Sequence, residues 1–349
     1  MNEKTVQTYD ASSMRQLLLD FPYQAQDAVR IGGQVRDAVT ARNVQNIVLT
    51  GLGGSAIGGD LLRSYLAEEL RVPFVINRQY TLPEFVGAKS LVVVSSYSGN
   101  TEETIAAHRD AVRRKARVVC VSSGGETSKM AAKYRQALVT IPRGYPPRAA
   151  LGYSFFAPLV MFIKSGFVKP RQRDIDETLS LLSKKARVYG SLSASNPALR
   201  LAGKMHGTLP VVYSSADRFD VVNLRWRGQI AENAKMLAFG HVIPEMNHNE
   251  LVGWNVSKDI MKKITVVILR DRGDHPRVQL RMGITREIVS AYAGEVLEVA
   301  SEGKSLLARM FSLIYLGDWV SFYLAMLNRI DPTPVRVIDM LKKKLASVS

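Results

Sequence analysis

The sequence predicts a two-part α/β fold built on parallel sheets, with a helical lead and a helical tail. Three observations carry that prediction. Apolar runs of strand type alternate with segments whose apolar residues recur at helical spacing. Alternation at this interval implies a parallel sheet with helices on both faces. A second series of strand-like runs then follows a proline-bearing connection near the middle of the chain. With 349 residues the chain is long enough for two domains that each bury most of their apolar surface. The expected division is 1–150 and 151–349.

The elements follow in order. Residues 13–21 and 26–41 carry amphipathic patterns that read as helices ahead of the first strand. Strand-like runs occupy 46–50, 74–77, 91–95, 117–121 and 137–141, with helical segments between them. The connection RGYPPRAALGY leads into an apolar helical stretch at 155–167. The second series comprises 209–214, 264–269 and 295–300, with 241–244 a weaker candidate. Residues 305–348 return to helical pattern, interrupted by DPTP at 331–334, which a helix interior would not tolerate.

Composition narrows the function classes. Forty-six per cent apolar and twenty-two per cent charged residues are ordinary for a globular protein. No apolar run is read as reaching transmembrane length, and MNEKTVQTYDASS lacks a basic start followed by an apolar stretch, so a cytoplasmic protein with no membrane partner is expected. The single cysteine, Cys120, sits in ARVVCVSS, where packing is its expected role. The net charge of +16 comes from scattered Lys and Arg, with few basic clusters carrying interleaved aromatics, which argues against nucleic acid and for a basic surface that attracts anionic substrates.

The stretch 47–60, IVLTGLGGSAIGGD, is a strand, a small-residue turn and a helix start. Unpaired N–H groups at such a helix start point outward, and glycines such as Gly54 let an anion approach the main chain. The spacing does not continue as a P-loop, and a dinucleotide fingerprint would place its third glycine where this chain has Ala56. Tight packing is the alternative explanation of the glycines. A second strand-to-helix turn, SSYSGNTEET, carries hydroxyls at Ser96, Ser98 and Thr101. These either cap the helix or converge with the first turn on one phosphate at the carboxyl edge of the sheet.

GLGGSAIGGD followed by SSYSGNTEET resembles the sugar isomerase (SIS) domain family, whose members bind phosphorylated sugars on flavodoxin-like sheets. PPRAALGYSF, AENAKMLAFGHVIPEMNHNELVGW and the tail through DPTPVRVIDMLKKKL are similar to bifunctional phosphoglucose/phosphomannose isomerases. The resemblance runs from about residue 45 to the C-terminus. It implies two flavodoxin-like SIS domains, with Gly54, Ser55, Ser96, Ser98 and Thr101 holding the substrate's phosphate, and a hexose 6-phosphate isomerised to its ketose. A non-catalytic sugar-phosphate module and an isomerase of another phosphorylated sugar are the rival readings.

Moving a carbonyl between C1 and C2 needs a proton-shuttling base, a cation for the enediolate and an acid/base for ring opening. The resemblance places the base at Glu232 in AENAKM. Arg148 follows two prolines that restrict the connection between the domains, suiting a guanidinium held over developing negative charge, with a solvated linker arginine as the alternative. The resemblance assigns ring opening to His248 in NHNEL, supplied across a homodimer interface, and favours Lys342 among three adjacent lysines as a second ring-opening contact. The resemblance also implies a small hydroxyl residue near the C-terminus that admits both C2 epimers, for which Thr333 in DPTP is the candidate. His108, His206, His241 and His275 have no such context. There is no HxH or HExxH, and an enediol mechanism needs neither metal nor other cofactor.

Overall fold

A computed structural model gives the architecture and describes residues 1–35 and 40–347. The chain opens with helices α1 (Glu3–Tyr9), α2 (Met14–Leu19) and α3 (Phe21–Gln34). The helix expected over 26–41 lies partly on residues 36–39, outside the described residues. The first sheet follows: β1 (Asn46–Thr50), α4 (Gly53–Leu66), β2 (Phe74–Asn77), β3 (Ser90–Ser96), α5 (Glu102–Arg113), β4 (Arg117–Ser122), α6 (Gly125–Lys133) and β5 (Ala137–Thr140). A 3-10 turn at Pro147–Ala149 then leads into α7 (Leu151–Lys164).

All strand pairs in this sheet are parallel, in the order β2-β1-β3-β4-β5. Ile47, Val48 and Leu49 are fully buried, as are Val92, Val93 and Val94, because helices cover both faces. A parallel strand covered on both sides reads as a continuous apolar run rather than an alternating one. The chain crosses from β1 to β2 on one side and then from β2 past β1 to β3 on the other, so the carboxyl ends of β1 and β3 flank the point where the strand order reverses. In open α/β sheets this crevice is where ligands bind.

The second sheet comprises β6 (Leu209–Ser215), β7 (Phe239–Ile243), β8 (Ile264–Arg270) and β9 (Glu295–Ala300), all parallel, in the order β7-β6-β8-β9. It repeats the first sheet's winding without a fifth strand. The remaining helices are α8 (Gln172–Tyr189), α9 (Pro197–Met205), α10 (Asp220–Ala234), α11 (Lys258–Met261), α12 (Pro276–Ser290), α13 (Leu306–Leu327) and α14 (Arg336–Ala346). Helix α9 starts where it does because Asn196 accepts from the N–H groups of Ala198 and Leu199 while Pro197 supplies a preset φ. By length and composition α13 could cross a membrane, contrary to the reading that no apolar run is long enough. Ninety-four per cent of its apolar window is buried within the protein.

Two compact units emerge, residues 20–183 with 303–309, and residues 1–19 with 184–302 and 310–349. The division therefore differs from one at residue 150. Helix α7 is buried along nearly its whole length, from Leu151 to Phe162, and packs on α3 and α4, so it belongs with the first sheet. The N-terminal residues go with the second sheet: Arg15 donates to the Gly190 carbonyl at 2.7 Å, and the Tyr315 hydroxyl donates to the Leu18 carbonyl at 2.7 Å.

Candidate active site

At the crevice of the first sheet, both loops start on buried strand ends. Ser55 lies in the first turn of α4 and is buried; its Oγ accepts from the Tyr97 N–H at 3.1 Å, linking the loop after β1 to the loop after β3. As an acceptor there, Ser55 keeps its own hydroxyl hydrogen for donation. Ser96 Oγ accepts from the Gly99 N–H at 3.1 Å and donates to Thr101 Oγ1 at 3.3 Å. Ser98 is exposed and its Oγ accepts from the Asn100 N–H. Thr101 occupies the N-cap of α5 without a side-chain capping bond, and Leu52 at the N-cap of α4 has none either. Two helix starts without side-chain caps, lined with hydroxyls, favour an anion over self-capping.

Gly54 brings a further segment to this place. A Cβ there would lie 2.3 Å from the Pro147 carbonyl oxygen and 3.2 Å from the Arg148 nitrogen, so only glycine lets the Pro-Pro-Arg turn rest on the first turn of α4. Arg148 is 4% exposed. The structure thus brings together Gly54, Ser55, Ser96, Thr101 and the backbone of Arg148, with Ser98 at the rim. Sequence reading missed Tyr97, although it lies inside the quoted motif. Its hydroxyl donates to the Pro142 carbonyl at 2.9 Å and accepts from the Tyr145 N–H at 2.8 Å. Burial pushes this phenol up, the Tyr145 N–H partly opposing, so it stays a neutral donor.

The other candidates lie in the unit of the second sheet. Glu232 is half-buried in the last turn of α10, a helix fastened to α13 by buried polar contacts. Arg225 donates to both oxygens of Asp318, at 3.0 and 2.7 Å, and Gln229 donates to the same carboxylate at 3.0 Å. Asn233 donates to Ser321 Oγ at 2.9 Å, and Asn328 to the Ala234 carbonyl at 2.9 Å. Lys235 ends the helix in the left-handed region at φ 54°, a position glycine usually takes. Its ammonium donates to the carbonyl of Glu232 and, at 2.9 Å, to that of Pro332, which ties the end of α10 to the turn bearing Thr333. His248 is exposed on the 3-10 turn Glu245–His248, and Lys342 is exposed on α14.

The equivalent crevice of the second sheet, at the ends of β6 and β8, holds carboxylates instead of a glycine turn. Asp274 accepts from Ser215 Oγ and from the Asp271 N–H, while Asp271 accepts from the Gly273 N–H and from Ser301. Burial holds Asp274 above the usual carboxylate range. Internal carboxyl groups thus accept from hydroxyl and N–H donors at the crevice that lacks a counterpart of GLGGSA.

The fold and the first crevice define a doubly wound, flavodoxin-like α/β protein with two hydroxyl-lined helix starts at the carboxyl edge of its first sheet. Residues 194–345 match the family model described as the bacterial phospho-glucose isomerase C-terminal SIS domain. The chain is 44% identical over 337 residues to the bifunctional phosphoglucose/phosphomannose isomerase of Caldicellulosiruptor bescii, covering 96% of this chain and 99% of that one. It is 33% identical to the enzyme of the same description from Aquifex aeolicus, covering 86% and 90%. A hypothetical protein of Thermus thermophilus superposes with a TM-score of 0.77 at 16% identity, covering 99% and 93%, a likeness of fold. The chain belongs to the bifunctional phosphoglucose/phosphomannose isomerase family.

Proposed function

We propose that the protein interconverts glucose 6-phosphate and mannose 6-phosphate with fructose 6-phosphate through an enediol. The observation that carries this reading is full-length identity of 44% to a bifunctional phosphoglucose/phosphomannose isomerase. The hydroxyl-lined helix starts of the first sheet supply what one end of such a substrate requires. In this reading the N–H groups around Gly54 and the hydroxyls of Ser55, Ser96, Ser98 and Thr101 hold the phosphate. Binding energy from that remote group then serves the reaction at C1 and C2.

Glu232 moves the proton between C1 and C2, and Arg148 stabilises the enediolate that forms when it is removed. His248 and Lys342 open the ring, an imidazole being the side chain type that exchanges protons near neutral pH. His248 is supplied by the partner in a homodimer, and Thr333 leaves room for either C2 epimer. The substrate meets the enzyme in the cytoplasm.

The test is a coupled assay on fructose 6-phosphate that reports glucose 6-phosphate and mannose 6-phosphate separately. Both products are expected, and Glu232→Gln is expected to abolish turnover while leaving fructose 6-phosphate binding measurable by calorimetry. Binding without any product from the wild-type protein would favour a non-catalytic sugar-phosphate module and overturn the isomerase reading.

A further inference from the structure

The backbone of the segment that carries Arg148 makes few hydrogen bonds within the turn. Pro142, Pro146 and Pro147 contribute no N–H, and the turn's own backbone bonds are those of Ala149 to Pro146 and Ala150 to Pro147. Two side chains from elsewhere in the same unit fasten it, one on each side of Arg148. Ahead of it, the Tyr97 hydroxyl joins the Pro142 carbonyl and the Tyr145 N–H. Beyond it, Gln24 on α3 is fully buried, donates from Nε2 to the Ala149 carbonyl at 2.8 Å, and accepts at Oε1 from the Gly152 N–H at 2.8 Å.

Both pins are specialised for this task. Tyr97 is itself locked to the anion loops, since its N–H donates to Ser55 Oγ and its carbonyl accepts from the N–H and hydroxyl of Ser123. Gly152 leaves the space that Gln24 fills, because a Cβ there would meet Gln24 Oε1 at 2.7 Å. An apolar residue at position 24 would suffice to pack α3 on α7. The buried amide instead spends its donor and one acceptor on the backbone flanking Arg148.

We propose that Gln24 and Tyr97 are positioning residues that fix the Arg148 guanidinium relative to the Ser55 loop. This rests on the isomerase reading and on the role of Arg148 within it. A displacement of about 1 Å in a catalytic group can cost on the order of 100-fold in rate. Removing either pin should therefore lower kcat by roughly 10- to 100-fold while KM, governed by the phosphate loops, stays within about twofold.

The experiment is a pair of double-mutant cycles on fructose 6-phosphate turnover with Gln24→Met, Tyr97→Phe and Arg148→Ala, each protein first shown folded by circular dichroism. Expected are a fall in kcat at constant KM for both single variants and no further fall when either is added to Arg148→Ala. Tyr97→Phe removes one oxygen atom and decides the matter should Gln24→Met fail to fold. Wild-type kcat in the folded variants, or the same fractional loss with and without Arg148, overturns the proposal. A wild-type protein without turnover refutes the isomerase reading itself, whereas turnover with unimpaired variants refutes only the positioning role.

Discussion

Replacing Gly54 with alanine probes the first crevice most directly. The new Cβ would sit 2.3 Å from the Pro147 carbonyl oxygen, 2.8 Å from its carbon and 3.2 Å from the Arg148 nitrogen. All three are backbone atoms, so no side-chain rotation relieves the contact. Ordinary van der Waals contact begins at 3.4 Å, which requires the turn to retreat by about 1 Å, a shift on the order of 100-fold in rate for a group in the chemistry. Overpacking costs ~1–3 kcal/mol, and the helix propensity gained on losing a glycine returns ~0.5–1 kcal/mol. The variant should therefore fold, with a slightly lower Tm, and lose about two orders of magnitude in kcat for fructose 6-phosphate. Gly33→Ala in α3, where a Cβ meets nothing within 4 Å, is the matched control and should keep full activity. A folded Gly54→Ala protein with wild-type kcat would show that the Pro-Pro-Arg turn can move without consequence, and would refute the geometry argued for this site.

Three further outcomes are expected. Arg225→Met leaves the Asp318 carboxylate, 2% exposed, without its cation and should cost ~3–5 kcal/mol in urea unfolding; a loss below ~1 kcal/mol would mean that the carboxylate finds another partner. Burial works against ionisation of Asp110, but the Leu82 N–H and the guanidinium groups of Arg113 and Arg114 outweigh it, and Glu69 and Glu177 are likewise held below the usual carboxylate range, against their burial, by backbone N–H groups, joined at Glu69 by Arg171. Carboxylates with depressed values give stability that is complete above about pH 5 and disappears as pH falls through their folded values, so Tm should drop as pH falls below about 4 and Asp110→Asn should flatten that slope; a flat wild-type profile would contradict it. Burial pushes the Cys120 thiol up to about 12, so it should resist alkylation in the native protein and react only on unfolding, as mass spectrometry of iodoacetamide-treated samples would report.

The strands were the most legible part of the chain, for a physical reason. Residues 46–50 read as a strand because Ile47, Val48 and Leu49 are buried on both faces, leaving an unbroken apolar run between turn signals. The weaker signal at 241–244 belongs to β7, an edge strand whose Phe239 is exposed and whose Gly240 lies against the Val212 carbonyl. Unit boundaries were less legible, because the bonds that assign residues 1–19 to the second sheet join positions 175 and 297 apart in sequence, which no local period encodes. The candidate site divides in the same way. Ser55, Ser96 and Thr101 stand in motifs, whereas Gln24 reaches Ala149 across 125 residues, and Lys235 takes a glycine-like conformation with no glycine to announce it.

The glycines of the first loop sharpen the point. Of the two competing explanations of GLGGSAIGG, an anion site and tight packing, the packing is directly visible. Gly51 lies against the Ser95 carbonyl, Gly54 against Pro147, Gly58 against Ser154 and Gly59 against the Leu49 side chain, each with a nearest approach of 2.7 Å or less to a built Cβ. Only Gly53, at φ +51°, faces open space. Four of these five glycines therefore serve close approach of the chain to itself, and the fifth serves the turn. In the proposed function the phosphate is held not by the glycines themselves but by the helix start beside this packing and by the hydroxyls brought to it. Substituting any of the four packed glycines should therefore disturb the frame of the site before it disturbs contact with a phosphate.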